Sequence, residues 1–223
     1  ETDKPYYRPP LSKEFWTEPD YPKETIYYNI SDDESIDILT GTTVKQINAD
    51  QQTIENESGE IYQYEKLLYS LGGAPKWIDG LESERVLALR NLEDYRNLRK
   101  FAKPGSKVII VGGGWVGAEL AAGLKLNDMD VTLVFPNEIL NEKRLPRMLA
   151  KEFQQRFVDI GVSLINNAYA DSYKVEDDQV SLKLENGAVL KADILVLGIG
   201  LKPNVELAEA AGLEVGNGVI ADK

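Results

Sequence analysis

Three glycines, Gly112, Gly114 and Gly117, stand in GxGxxG spacing within the stretch KVIIVGGGWVGAELAAGL that begins at Lys107. Residues spaced this way suit a pyrophosphate. The first glycine makes a tight turn, the second lets the backbone approach the phosphates, and the third lets the next helix pack close to the preceding strand. A helix opening at that turn also aims its free N–H groups and positive dipole end at the anion. The chain contains no cysteine and no histidine. It therefore has no disulfide, no thiolate nucleophile, no imidazole base and no His-containing metal site. Chemistry here has to come from a bound cofactor, helped by Lys, Glu, Tyr and backbone groups.

The elements around the glycines fit that use. Val108 to Val111 is apolar and β-branched, as in a strand buried on both faces of a parallel sheet, and Pro104-Gly105-Ser106 forms a turn before it. Ala118, Ala121, Ala122 and Gly123 make a thin helix, Asn127 and Asp128 end it, and a second apolar strand follows at Val131 to Phe135. Strand, turn, helix and strand in about 30 residues is one βαβ unit. Further on, Leu145 to Ile160 has helical spacing with Pro146 in its first turn, Val162 to Asn166 reads as a strand, a hairpin turns at Asn186-Gly187, and Ala192 to Gly198 is a buried strand.

Upstream, Tyr6 to Lys13 reads as an arm held extended by Pro9 and Pro10, with Ser12 capping a short helix that starts at Lys13. Thr17 to Glu34 is a polar loop carrying a short strand near Ile26 to Ile30. From Ile36 a strand meander turns at Ser58-Gly59 and leads into a buried strand, Lys66 to Leu71, and Asp94 to Phe101 is a short helix. The two strand-rich regions repeat each other. Gly59 and Gly187, Glu65 and Asp193, Gly72 and Gly200, and Pro75 and Pro203 all stand 128 residues apart. The expected counterpart of the glycine turn in the first copy falls before residue 1, so the chain reads as a fragment: the tail of one nucleotide-binding domain and nearly all of a second.

With 223 residues and 43% apolar content there is ample core for two such domains. The balance of 25 basic against 37 acidic residues, net −12, with no basic run, argues against nucleic acid as a partner. No stretch of about 18 apolar residues is present and the start lacks a signal-peptide pattern, so a membrane span is not expected and a cytoplasmic location is the default.

The motifs VGGGWVGAEL, LLYSLGGAPK and DILVLGIGLKPN, in this order, resemble those of the pyridine nucleotide-disulfide oxidoreductases. PYYRPPLSKEFW, VTLVFPNE and GLKPNVELAEAAGLEV look most like the ferredoxin-reductase-like branch that includes apoptosis-inducing factor-like NADH oxidoreductases. The resemblance covers nearly the whole chain. It implies an α/β architecture: a Rossmann-like dinucleotide-binding fold with a parallel sheet and an antiparallel β-meander, plus part of a similar FAD domain. Residues 1–102 would be the C-terminal part of the FAD-binding domain, without its glycine loop, and residues 103–223 the NAD(P)-binding domain.

The resemblance also implies roles. Arg8 and Lys13 match a loop lying along FAD, Arg90 matches an arginine near the flavin nucleotide's phosphates, and Gly72 belongs to the first hinge motif. Lys13 and Glu119 match a pair beside the reactive edge of the flavin and are the catalytic candidates. Gly112, Gly113, Gly114, Trp115, Val116, Gly117, Gly198 and Gly200 fall to the pyridine nucleotide, with Trp115 covering the nicotinamide. The residue ending the second strand normally reads the adenosine ribose. Here that place holds Phe135, Pro136, Asn137 and Glu138, with Lys143 and Arg144 a few residues on. NAD(H) is expected over NADP(H), because Glu138 would repel a 2′-phosphate. Whole members of the family bind FAD and pass hydride from NAD(P)H to the flavin and on to an acceptor, here a ferredoxin, a rubredoxin, a quinone or oxygen. The fragment alone is expected to be inactive. The alternative is an NAD(H)-sensing module that changes association without turnover, and a homodimer is compatible with either.

Overall fold

The computed structural model describes residues 1–30 and 35–221. They form two compact units: Glu1–Tyr6 with Tyr27–Ala74 and Leu201–Lys223, and Tyr7–Ile26 with Pro75–Gly200.

The larger unit is organised on the strand Lys107–Val111, whose last four residues are buried. Parallel neighbours flank it on both sides: Asp130–Val134, in register Val108↔Val131 and Ile110↔Leu133, and Ile194–Leu197, in register Ile194↔Val108 and Val196↔Ile110. Ser163–Ile165 and Val86–Leu87 complete a five-stranded parallel sheet in the order Val86–Leu87, Ile194–Leu197, Lys107–Val111, Asp130–Val134, Ser163–Ile165. Strands covered on both faces need no polar alternation, and the unbroken apolar runs follow from that. A three-stranded antiparallel sheet, Ala170–Glu176, Gln179–Leu184 and Val189–Ala192, packs on it. Val180, Leu182 and Leu184 share one core with Val111, Val134, Leu195 and Leu197. The helices are Leu92–Phe101, Trp115–Leu126 and Arg147–Asp159. The first starts earlier than its apolar spacing implies, because Asn91 and Asp94 form a reciprocal capping box. Pro146 stands just before the third, as its N-cap.

The arm of this unit departs from the extended segment expected. Pro9–Leu11 is a 3₁₀ turn, which the fixed φ of proline also suits, and the helix is the single turn Glu14–Thr17. Ser12 does not cap it. Trp16 explains how the arm is held: it is buried, its indole N–H donates to the Leu11 carbonyl at 2.8 Å, Tyr95 meets it edge-on at 5.4 Å, and the Arg99 guanidinium lies 4.1 Å over its ring. Gly123 makes room for it, since a Cβ there would come within 2.7 Å of the Trp16 Cβ. Asn127 Nδ2 donates to the Trp16 carbonyl at 2.5 Å.

The smaller unit contains an antiparallel meander, Val44–Asn48, Thr53–Asn56 and Ile61–Gln63. It also holds the paired strands Gly73–Pro75 and Leu201–Pro203, the helix Glu206–Ala210 and the hairpin Val215–Gly216 with Gly218–Val219. The meander has the same strand order as the one in the larger unit, and the matched turn glycines adopt the same left-handed backbone, φ +81° at Gly59 and +87° at Gly187. Two further expectations fail. Instead of a strand near Ile26 to Ile30 there is a 3₁₀ turn, Lys23–Ile26, and one bridge between Tyr6 and Tyr27; residues 31–34 lie outside the described residues. Lys66 to Leu71 is irregular, with Leu68 87% exposed. Its repeat counterpart, Ile194–Leu197, is a buried strand because parallel strands hydrogen-bond it on both sides, and 66–71 has no such neighbours among the described residues. None of the described helices is long and apolar enough to cross a membrane.

Candidate functional site: a glycine-walled cleft

The glycine turn lies at the C-terminal ends of the parallel strands, where α/β sheets bind ligands. Gly112 has φ +123°, and a Cβ on it would overlap the carbonyl oxygen of Gly198. Its N–H donates to Val134 at 2.8 Å, and the Gly198 N–H donates to Val111 at 2.6 Å, which ties the turn to both neighbouring strands. Gly117 packs the helix onto this turn so closely that a Cβ would overlap the Gly112 carbonyl oxygen. Gly113 rests on Phe135, where a Cβ would approach to 2.9 Å. Gly114 is the N-cap of Trp115–Leu126 and brings no capping side chain, so the first N–H groups of a 12-residue helix remain open to a ligand.

Beside the turn is a cleft of about 440 Å³ lined by Gly112, Gly113, Gly114, Gly198, Ile199 and Gly200. Its other walls are Pro136, Asn137, Asn141, Lys143 and Arg144 from the loop after the second strand, Ala168 to Ala170, Val111 and Ile78. The volume is that of a small-molecule site. Its only charged lining residues are Lys143 and Arg144, and both are exposed. Arg144 Nη1 lies 3.6 Å from the position a Cβ on Gly114 would take. Asn141 is 4% exposed, has φ +59°, and both polar atoms of its amide lack a hydrogen-bond partner. Unpaired buried polar atoms cost about 1–3 kcal/mol each, so this wall of the cleft has hydrogen-bonding capacity in reserve.

A second cluster lies along the same helix. Ser12 Oγ donates to Glu119 Oε2 at 2.8 Å, and Lys13 Nζ stands 3.4 Å from Glu119 Oε1. Ser12 is buried, whereas the Lys13 and Glu119 side chains keep 45% and 27% of their exposure. The 3₁₀ turn made by Pro9–Leu11 delivers Ser12 and Lys13 to Glu119, and the Trp16 anchor holds that turn in place.

The structure thus brings together Gly112, Gly113, Gly114, Asn137, Gly198 and Gly200 around one cleft, and Lys13 with Glu119 in one ion pair. Others stand apart. Phe135 is buried beneath Gly113 and does not line the cleft; Glu138 is turned to Arg147, which donates to its Oε1 at 2.8 Å. Trp115 and Val116 are 43% and 46% exposed on the first helical turn, with Trp115 edge-on to Phe153 at 5.9 Å. Arg8 precedes the 3₁₀ turn, and Arg90 gives its backbone N–H to Asp94 at 2.7 Å. Gly72 belongs to the smaller unit, at φ +62°, its carbonyl accepting from the Asn204 N–H. Sequence reasoning missed Asn141, Tyr169 and Ile78 as lining residues and Ser12 as the partner of Glu119. The available signal for Asn141 was its place beside Lys143 and Arg144 in the loop after the second strand; nothing local marks the others. A larger cavity of about 820 Å³ lies elsewhere in this unit, between Trp77, Gly80, Glu82, Glu84, Asp94 and Tyr173, away from the GxGxxG turn. Burial, and then the Glu82 and Asp79 carboxylates, raise the Tyr173 phenol above its ordinary pKa.

All of residues 1–223 match the family described as pyridine nucleotide-disulphide oxidoreductase. The chain belongs to that family. Among solved structures it is similar to putidaredoxin reductase in a covalent complex with putidaredoxin, at 30% identity and TM-score 0.89 over 97% of this chain and 54% of that one. It is similar also to the ferredoxin reductase for the CYP199A2 system from Rhodopseudomonas palustris, at 26% identity and TM-score 0.89 over 99% and 56%. A third is an NAD-dependent persulfide reductase from A. fulgidus, at 25% identity and TM-score 0.87 over 97% and 43%. The chain therefore spans about half the length of these relatives.

Proposed function

We propose that this chain is the nucleotide-binding portion of an FAD-dependent NAD(P)H oxidoreductase, with the glycine cleft holding the pyridine nucleotide. The observation that supports the reading most is steric. At Gly112 and Gly117 a single added carbon would strike backbone, and the space left over Gly114 is bounded by open helix N–H groups and two cations. These groups fit a pyrophosphate: short backbone donors, a positive helix end and no carboxylate among the lining residues.

When both groups are bound, the nicotinamide supplies a hydride and the flavin accepts it. The work of the chain is to bind and orient. Gly113, Gly114 and the first turn of the helix would hold the pyrophosphate by backbone N–H groups at the tight turn that Gly112 makes, and Gly198 and Gly200 form the opposing wall. Trp115, exposed on the first turn of the helix, would shield the nicotinamide from water. Lys13 would present fixed positive charge near the reduced flavin. Glu119 would keep that ammonium in place through the 3.4 Å pair, and Ser12 would fix the carboxylate by its 2.8 Å hydrogen bond. Arg8 and Arg90 would meet the flavin nucleotide. In this division residues 1–102 serve FAD and residues 103–223 serve NAD(P)H. By likeness to the putidaredoxin and ferredoxin reductases, a ferredoxin is the first acceptor to try.

The experiment is steady-state turnover of the full-length protein, FAD-loaded, with NADH or NADPH and a ferredoxin, a rubredoxin, a quinone or oxygen. Continuous nucleotide oxidation that is lost in Lys13→Met is the expected result. Nucleotide binding without turnover on any of these acceptors would contradict the oxidoreductase reading.

A further inference from the structure

The coenzyme preference drawn from the sequence rests on Glu138 repelling a phosphate, and the structure puts Glu138 elsewhere. Its carboxylate accepts from Arg147 at 2.8 Å and it is not among the residues that line the cleft. Glu142, the next acid in this loop, is also committed inward: its carboxylate accepts from Asn137 Nδ2 at 3.0 Å and from the Ile139 N–H at 3.2 Å. The charged side chains that do line the cleft are Lys143 and Arg144, and neither forms an ion pair among the described residues. The place where an acid would accept the ribose hydroxyls holds Asn137, a neutral side chain. Behind these residues the buried Asn141 amide has both a donor and an acceptor without partners.

From this arrangement we infer that the loop between the second strand and the helix Arg147–Asp159 accepts an adenosine 2′-phosphate through Lys143 and Arg144. The cleft then takes NADP(H) at least as readily as NAD(H). The inference rests on the reading of the cleft as a pyridine-nucleotide site. Its physics is a difference of charge. A carboxylate at this strand end bonds a ribose diol and repels a phosphate, whereas two cations with no competing acid attract the dianion by charge-assisted hydrogen bonds. Arg144 reaches back over Gly114 and serves the pyrophosphate as well, so an affinity for NADPH alone would not isolate the 2′-phosphate.

The test compares two fragments of the coenzymes that share the pyrophosphate and differ in the 2′-phosphate. The whole chain, Glu1–Lys223, is titrated calorimetrically with 2′-phospho-ADP-ribose and with ADP-ribose at one fixed ionic strength, and thermal unfolding of each variant is recorded alongside. The expected result is that 2′-phospho-ADP-ribose binds about tenfold tighter, the worth of one charge-assisted hydrogen bond. In the double variant Lys143→Leu/Arg144→Leu the ratio should fall to about one, with folding kept, because both side chains are exposed. Equal or tighter binding of ADP-ribose by the unaltered chain would overturn the inference and leave the nucleotide site standing. Persistence of the ratio in the double variant would overturn it too. If a folded chain bound neither compound, the reading of the cleft would fail along with the inference.

Discussion

Two glycines three residues apart should answer the same substitution in opposite ways. A Cβ on Gly117 would overlap the backbone oxygen of Gly112, an atom fixed by the hydrogen bond of that residue to Val134. Replacement of a helical glycine by alanine contributes about 1 kcal/mol of stability by propensity alone. Overpacking costs about 1–3 kcal/mol, and a backbone neighbour that cannot rotate away puts this site at the upper end. The net expectation for Gly117→Ala is destabilisation of about 1–2 kcal/mol, or roughly 2–8 °C in Tm for a chain of this size. At Gly114 the backbone is ordinary, φ −84° and ψ −176°, and a Cβ would meet only the far end of Arg144 at 3.6 Å. Gly114→Ala should therefore change stability by less than about 0.5 kcal/mol. It should nonetheless weaken NADH binding by at least about tenfold, because the methyl takes the space through which the backbone approaches the pyrophosphate. Thermal unfolding and calorimetric titration on both variants make the test. A Gly114→Ala chain that binds as tightly as its parent would refute the cradle reading, and a Gly117→Ala chain of undiminished Tm would refute the packing argument.

Three further outcomes are expected. Trp16→Ala should cost about 3–5 kcal/mol in chemical denaturation, since a buried indole packed on Gly123 and Tyr95 is lost and the Arg99 contact with it. Ser12→Ala should lower stability by about 1.5 kcal/mol, the low end of the range for a hydrogen bond to a charged group because Glu119 is partly exposed; removing the exposed Lys13 charge in Lys13→Met should cost less and depend on salt. The raised pKa of Tyr173 means that the folded state holds its proton more tightly. That stability is fully present below the ordinary phenol pKa of about 10 and is lost as pH rises through the folded value. An alkaline series of melts should show this decline, and Tyr173→Phe should flatten it.

The parallel sheet was legible because strands buried on both faces write themselves as apolar runs, as in Val108 to Val111 and Ile194 to Leu197. The paired meanders were legible because hairpins need left-handed turn residues, and Gly59 and Gly187 supplied them at a fixed distance. What failed depended on partners far along the chain. Lys66 to Leu71 has the composition of a buried strand but has no strand paired with it among the described residues. Ser12 has the chemistry of an N-cap, yet a carboxylate 107 residues away in sequence claims its hydroxyl. In each case the local preference is real and a tertiary contact outweighs it. Lys13 and Glu119 are the instructive opposite: nothing in spacing or composition joins them, and the motifs that resembled a known family did.

The central claim is that a pyridine nucleotide occupies the glycine-walled cleft. The most direct measurement is a calorimetric titration of the chain Glu1–Lys223 with NADH, followed by the same titration on Gly114→Ala. The account predicts a single site with a Kd on the order of micromolar, an ordinary affinity for one dinucleotide, and its loss in the folded variant. Absence of binding by the unaltered chain at millimolar NADH, or equal binding by the two, would contradict it.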